Sequence, residues 1–327
     1  MKKYNYGTAI LSGFEYLLEN YPETFVIGQG LWSPWYVGNT MTDLDKKFGV
    51  ERIIDTPVSE SACTGAAVGA ALAGMKPIVV HPRMDFMILA VDQIVTQAAK
   101  WSSMFGGQSH PNITIRGIVN RGGEQGAQHS QSLHSWFAHI PGLRVVMPTN
   151  VKDARDLLIA SVLCPDPVLF IEDRWLYDEE DYLDPIDHLL ELNDQESNIL
   201  TEGTDLTIVA NSFSCLQAKR VVEQLERENY SIELIDLRIL NPLNYDKLVN
   251  SVKKTGRLLS IDGGWTTCGV AGEIIAGITE RIDPSSLKIR PVRLTLTDAP
   301  APTSKPLENE YYLSEERITN TIKDMLN

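Results

Sequence analysis

A single carboxylate, Glu60, stands at the head of DTPVSESACTGAAVGAALAG (55–74), a stretch otherwise built almost wholly from Ala, Gly, Ser, Thr and Val. Glycines at 65, 69 and 74 cost about 1 kcal/mol each relative to alanine in a helix, which a fold tolerates where another backbone must come close. Such a helix belongs at a tight interface. Taken alone, Glu60 also has an ordinary explanation, since a carboxylate in a first helical turn gains a few tenths of a kcal/mol from the helix dipole. A second constellation is RGGEQGAQHSQ (121–131), which carries three glycines and then Gln128, His129 and Gln131. By itself this is a solvated loop with a hydrogen-bonded histidine unless the rest of the chain supports a site. Three glycine patterns are set aside. GGEQG lacks the Gly-Lys-Ser/Thr ending of a phosphate loop, and GQG (28–30) lacks the third glycine and later acid of a dinucleotide fingerprint. IDGGW (261–265) begins like a metal-diphosphate motif but has no suitably placed Asn, and reads as a glycine turn leaving a strand.

Loops leaving the carboxyl ends of strands are where an α/β sheet holds ligands, so the order of elements decides what these residues share. TFVIGQG (24–30), KPIVVHP (76–82), ITIRGIVN (113–120), LRVVMP (143–148) and PVLFIED (167–173) read as strands; Glu60–Gly74, 86–101 and 151–163 read as helices. Near-continuous Val/Ile runs argue a parallel sheet covered on both faces. After Arg174 the periodicity fades into an acidic, turn-rich stretch that reads as a surface linker, centred on 186–204, between a first domain at 1–185 and a second at 205–327. The β-α-β pattern then resumes with strands at 205–212, 232–238, 257–262 and 289–296, and a proline-rich tail (298–313) is expected to run extended before a last helix. The fold class is therefore α/β, with two doubly wound domains.

Composition sets outer bounds. The 327 residues carry 29 Lys plus Arg against 43 Asp plus Glu, a formal charge of −14 that disfavours nucleic acid and anionic membranes as partners. The four cysteines are scattered, with no C-x-x-C pair and no His at zinc spacing, so they read as reduced thiols in a cytoplasmic protein without a structural metal. No run of about 18 apolar residues suggests a membrane span.

Taken together, DTPVSESACTGAAVGAALAGMKPIV, DFMILAVDQIVTQAAKW and GAQHSQSLHSWFAHIPGLRVVMPTN resemble the β subunit of thiamine-diphosphate-dependent 2-oxo acid dehydrogenases of the pyruvate dehydrogenase type. SIELIDLRILNPLNYDKLVNSVKKTGRLLSID is similar to the C-terminal domain shared with transketolase, so the resemblance spans nearly the whole chain. It implies a pyrimidine-binding-type first domain and a transketolase C-terminal-type second domain. It also implies thiamine diphosphate as cofactor, and an α subunit that holds the diphosphate through Mg²⁺, two α with two β chains. By the same resemblance Glu60 hydrogen-bonds the aminopyrimidine ring, its carboxyl kept protonated by burial among small apolar residues. Phe86 stacks on that ring, Val58 flanks it, and His129, beside Gln128, donates to a developing oxyanion or shuttles a proton.

Departures from the family pattern bear on the substrate. Where an acidic pair is usual after the first strand, this chain has Gly28-Gln29-Gly30; before Phe86 it has His81, Arg83 and Asp85; and NRGGEQ (120–125) replaces a Pro-Asn-Gly loop. Arg83 and Arg121 suit a carboxylate or a phosphorylated sugar, or form surface ion pairs. Cys164, at a position where the family's potassium site has an acid, is a poor partner for a hard cation. The activity implied is 2-oxo acid decarboxylation with acyl transfer to a lipoyl acyltransferase partner. The alternative is a split transketolase-like or acyloin-forming enzyme that passes its unit to an aldehyde or sugar without a lipoyl partner. A non-catalytic assembly subunit is a third reading, against which the presence of both Glu60 and His129 argues.

Overall fold

The computed structural model describes residues 2–327, and its central feature follows from the Val/Ile runs. Seven strands form one sheet in the order Ile239–Asn241, Arg144–Val146, Val168–Asp173, Thr114–Val119, Lys76–His81, Thr24–Gly28, Ile53–Asp55. All neighbours run parallel except the Ile239–Asn241 edge. The four interior strands from Thr24–Gly28 to Val168–Asp173 are nearly devoid of exposed positions, as a sheet covered on both faces requires. A second sheet runs Val292–Leu296, Leu258–Trp265, Leu206–Ala210, Ile232–Asp236, Asn198–Thr201, again parallel but for the last edge.

Several expectations are corrected. Residues 86–101 are not a continuous α-helix: a 3₁₀ segment Met84–Ala90 leads into a π-helical segment Asp92–Ala98 and only then into the α-helix Ala99–Met104. The buried side chains explain the change, because Met84, Met87 and Ala90 recur every three residues, matching a three-residue turn, whereas Ala90, Ile94 and Ala98 recur every four. The IDGGW stretch lies within the strand Leu258–Trp265 instead of forming a turn. Its glycines are demanded by neighbours: a Cβ on Gly263 would meet the Arg121 guanidinium at 2.2 Å and one on Gly264 the His134 ring at 3.0 Å. The tail is not wholly extended, since Lys305–Tyr311 is a helix with Pro306 in its first turn, where a missing N–H costs nothing.

The two sheets share packing. One apolar core contains Ala67, Ile94, Ile115 and Leu169 together with Val209, Ile235, Leu240 and Ile274 of the second half. The crossing chain seals this contact, because Ile239–Asn241 adds an edge to the first sheet, pairing Ile239 with Val146. Just before it, Arg238 donates to Asp153 at 2.7 Å and to the Glu196 carbonyl at 3.2 Å. At the end of the first domain Glu180–Leu183 pairs antiparallel with Lys2–Asn5, and in the segment that follows Asn198–Thr201 forms the edge of the second sheet.

One group in this junction is uncomfortable. Asp236 is fully buried, and burial, reinforced by the nearby Asp153 carboxylate, pushes its carboxyl up to about 7 despite the charge of Arg238 and the bond it accepts from Arg238 N at 3.3 Å. In the unfolded chain it titrates near 3.8, so between about pH 4 and 7 the native state holds more protons and stability falls as pH rises through that window. Asp236→Asn is therefore expected to raise stability by about 1.6 kcal/mol at pH 5 and by at most about 4 kcal/mol at pH 8, at ~1.4 kcal/mol per pKa unit. Differential scanning calorimetry at the two pH values checks this; equal shifts at both would contradict it.

Candidate active site

The loops that leave the carboxyl ends of the first sheet converge. Gly28 ends its strand where a Cβ would lie 2.4 Å from the Val80 carbonyl oxygen, so glycine is imposed by the adjacent strand. Thr56 N donates to Gly28 O at 2.8 Å and Leu31 N to Asp55 at 3.2 Å, which fixes the Gln29 turn against the segment leading to Glu60. Gly30 needs its positive φ of 68° and the absence of a side chain, because the Tyr36 ring lies over it. The glycine after Gln29 is thus a packing requirement, and only the amide bears on chemistry.

Glu60 opens the helix Glu60–Leu72 and is 8% exposed. Among the described residues its carboxyl has no hydrogen-bond or ion-pair partner in this chain. With Gln29, Thr56, Cys63 and His81 it lines a cavity of only about 10 Å³. The Gln29 side-chain oxygen is buried and unpartnered at the same place. A ring contacted by Glu60 therefore has to lie over the mouth of this cavity. Below it, burial lowers the His81 imidazole to about 4, so the ring is neutral near pH 7 and bonds Thr64 Oγ1 through Nε2 at 3.2 Å.

Phe86 and His129 meet edge to face, ring centroids 5.3 Å apart and planes at 80°. They are held together by Asp85, buried beside Phe86, whose carboxylate accepts from Gln131 N at 2.9 Å and so ties the 3₁₀ segment to the histidine loop. Burial raises the Asp85 carboxyl, partly offset by the Gln131 bonds, and its second oxygen has no partner. Asp85 is a positioning residue that the sequence reading noted only as a departure. The glycine loop is further shaped by the tail: Glu124 N donates to Glu308 at 2.9 Å, and a Cβ on Gly126 would meet Thr303 at 2.8 Å.

The structure thus brings Gln29 to Glu60 and Phe86 to His129, and leaves Val58, at 71% exposed, and Gln128 on the open surface. Arg83 is half-buried. Arg121 is not a surface residue: it is buried, pairs with buried Asp173 and donates to the Gly263 carbonyl at 3.0 Å, so its charge is spent on clamping the two halves together. His134 makes a parallel clamp, its Nε2 2.9 Å from Asp262 and its Nδ1 2.8 Å from Ser132, all buried. For Asp262, burial raises the carboxyl, but the nearby His134 charge and the Asn211 bond outweigh it and hold it below the usual range. Sequence reading missed this clamp; its partners are joined only by the fold. Among the described residues no group of three or more His, Cys, Asp or Glu is placed to hold a metal ion, and no helix is long and apolar enough to cross a membrane.

The two-sheet frame that carries this buried, unpaired acid and aromatic–histidine pair has the domains of transketolase. Residues 2–179 match the family "Transketolase, pyrimidine binding domain" and residues 195–318 "Transketolase, C-terminal domain". The chain is 35% identical to the bovine mitochondrial pyruvate dehydrogenase E1 component subunit beta, over 98% of this chain and 89% of that one. It is 38% identical to the acetoin:2,6-dichlorophenolindophenol oxidoreductase subunit beta of Cupriavidus necator, over 82% of this chain and 78% of that one. A solved "Split gene transketolase, inactive beta4 tetramer" superposes with a TM-score of 0.76 at 19% identity, covering 98% of this chain and 96% of that one, and shares the fold. The chain belongs to the transketolase-like family, in the branch of the pyruvate dehydrogenase E1 β subunits.

Proposed function

We propose that this chain is the β subunit of a heteromeric thiamine diphosphate enzyme that acts on a 2-oxo acid and is active only with an α subunit, two of each. The observation that carries this reading is Glu60, buried, without a partner in this chain, and set beside the orphaned Gln29 oxygen at a cavity mouth too small to enclose a ligand by itself. The donor set fits the aminopyrimidine end of the cofactor: Glu60 for a hydrogen bond, Phe86 for a flat apolar contact, Val58 as an exposed apolar flank waiting to be covered. It does not fit a diphosphate with Mg²⁺, which falls to the α subunit. When bound, thiamine diphosphate supplies an electron sink for a 2-oxo acid losing CO₂. Glu60 moves a proton at the pyrimidine, while His129, fixed by Phe86 and Asp85, donates to or protonates the substrate oxygen. The acyl unit passes to a lipoyl acyltransferase partner. Four unpaired cysteines suit a reducing, cytoplasmic setting.

A second reading, transfer to an aldehyde or sugar without a lipoyl partner, is favoured by the neutral Gln29 and by Arg83, which has no ion-pair partner among the described residues and lines a cavity at the strand ends with Arg121 and Arg174. Assembled with a family α subunit, thiamine diphosphate and Mg²⁺, the complex is expected to release labelled CO₂ from carboxyl-labelled short 2-oxo acids such as pyruvate, whereas this chain alone releases none. Repeating the reaction with the carbonyl carbon labelled, and adding a lipoyl domain or an aldehyde in separate samples, shows which acceptor takes up the two-carbon unit. Absence of CO₂ release from a complex whose assembly is verified by light scattering would refute the proposal.

A further inference from the structure

His129 is carried by a loop, 121–131, that contains no helix or strand. Its two ends are fixed by side chains of the first domain: Arg121 is paired with Asp173, and Gln131 N donates to Asp85 at 2.9 Å. The middle is not. From Gly122 to Gln128, the only hydrogen bonds that leave the loop among the described residues run to the C-terminal tail. Glu124 N donates to Glu308 Oε1 at 2.9 Å, and Gly122 N reaches the Tyr312 hydroxyl at 3.5 Å, the outer limit of such a bond. Glu124 has a φ of 59°, a left-handed conformation that a residue with a side chain keeps only where its surroundings hold it.

Glu308 supplies that hold from a rigid base. It belongs to the helix Lys305–Tyr311, which the second domain seats through three bonds of 2.8 Å: Trp265 Nε1 to the Tyr311 hydroxyl, that hydroxyl to the Ala299 carbonyl, and Gln217 to the Leu313 carbonyl. Glu308 is 1% exposed, and the bond from Glu124 N is the only one its carboxyl accepts. Its sole ion-pair partner among the described residues is the exposed Lys305, 3.5 Å from Oε2. Burying a carboxylate against one backbone N–H costs more than closing a surface loop requires, unless the loop must stand in one place. His129 lies five residues beyond Glu124 and two before Gln131, between both tethers. With Glu308 in place the free span is 125–130; without it the span grows to 122–130.

We infer that Glu308 is a positioning residue for the proposed reaction: from the second domain it fixes Glu124, and through it the place of His129 over the substrate oxygen. The inference rests on the role given to His129 in the proposed function and extends it to a group outside the first domain.

The test uses the complex of the full chain with its α subunit, read by release of labelled CO₂ and by hydrogen–deuterium exchange. Glu308→Ala is expected to lower kcat about 30-fold with cofactor affinity and assembly unchanged, the scale of a small misplacement of a reacting group. Amide exchange across 122–130 should become about tenfold faster. Glu308→Gln keeps an oxygen for Glu124 N and should return kcat to within about 5-fold of the parent. In a His129→Ala chain, Glu308→Ala should cost less than about 3-fold, because both act through one imidazole, whereas a general structural defect costs the same in either background. Glu308→Asp, one methylene short, takes the place of the alanine variant if that one does not assemble. Parent kcat in the truncated variant, unchanged exchange, equal losses from glutamine and truncation, or equal losses with and without His129 would each overturn the inference. A parent complex that releases no CO₂ refutes the proposed function and this inference with it; a parent that turns over alongside any of those results refutes only the role of Glu308.

Discussion

Glu60→Gln in the assembled complex is expected to lower turnover of a 2-oxo acid by 10²- to 10⁴-fold, the range set by losing a positioned acid–base group. The substitution is nearly isosteric, and the carboxyl makes no bond inside this chain that the amide would break, so the melting temperature and assembly with the α subunit should stay at the level of the unsubstituted protein. An amide still hydrogen-bonds a ring nitrogen but cannot exchange a proton with it. The signature is therefore a fall in kcat with cofactor affinity reduced far less, read by steady-state kinetics beside a thiamine diphosphate titration. A variant with full turnover would remove Glu60 from the chemistry and leave this chain a scaffold. A variant that lost turnover and assembly together would instead make the carboxylate structural.

The residues themselves show where sequence was sufficient. The parallel order of the first sheet is legible because its interior strands are nearly unbroken Val/Ile runs, and period and burial agree there. The Met84–Met104 stretch is not, because its apolar spacing changes from three to four midway and an average period near 3.6 conceals both. Arg116 stands out as a charge inside the strand ITIRGIVN, yet the reason is 56 residues away: it is fully buried, paired with Glu172 and bonded to Thr40 Oγ1 at 2.8 Å. Arg121 is similar. Its type suggested an anion from outside, and only the juxtaposition of two strand ends reveals that Asp173 already supplies one. In the same way Glu60, Phe86 and His129 were singled out through family resemblance, since nothing in their spacing along the chain announces that loops from separate strands meet. Side-chain chemistry is local in sequence; compensation of charge is not, and that is why candidate residues could be singled out while the pairing of Arg121 with Asp173 could not.

The same logic of compensation applies to glycine. Gly69 sits in the helix Glu60–Leu72 with nothing within 4 Å of where its Cβ would be, so within this chain alanine would be better by roughly 1 kcal/mol. Its neighbours on that face, Ala62, Ala66 and Ala73, are exposed as well. Elsewhere in the chain, glycines such as Gly28 and Gly142 are forced by backbone lying within 2.4 and 2.0 Å of a Cβ. In the complex proposed above, the atoms that explain Gly69 are expected to come from the α subunit, its backbone packing on the helix that carries Glu60 and so covering the proposed cofactor site. Gly69→Leu is expected to leave the isolated chain as stable as before, and to weaken assembly with the α subunit by 100-fold or more, about 2.7 kcal/mol, because an interface packed to backbone contact has no room for a branched side chain. Turnover falls with assembly and returns at high α subunit concentration, whereas Glu60→Gln does not recover. Sedimentation velocity across a concentration series separates the two. Should the leucine variant assemble like the parent chain, the helix faces solvent in the working enzyme, and the closure of the site over Glu60 must come from a different surface.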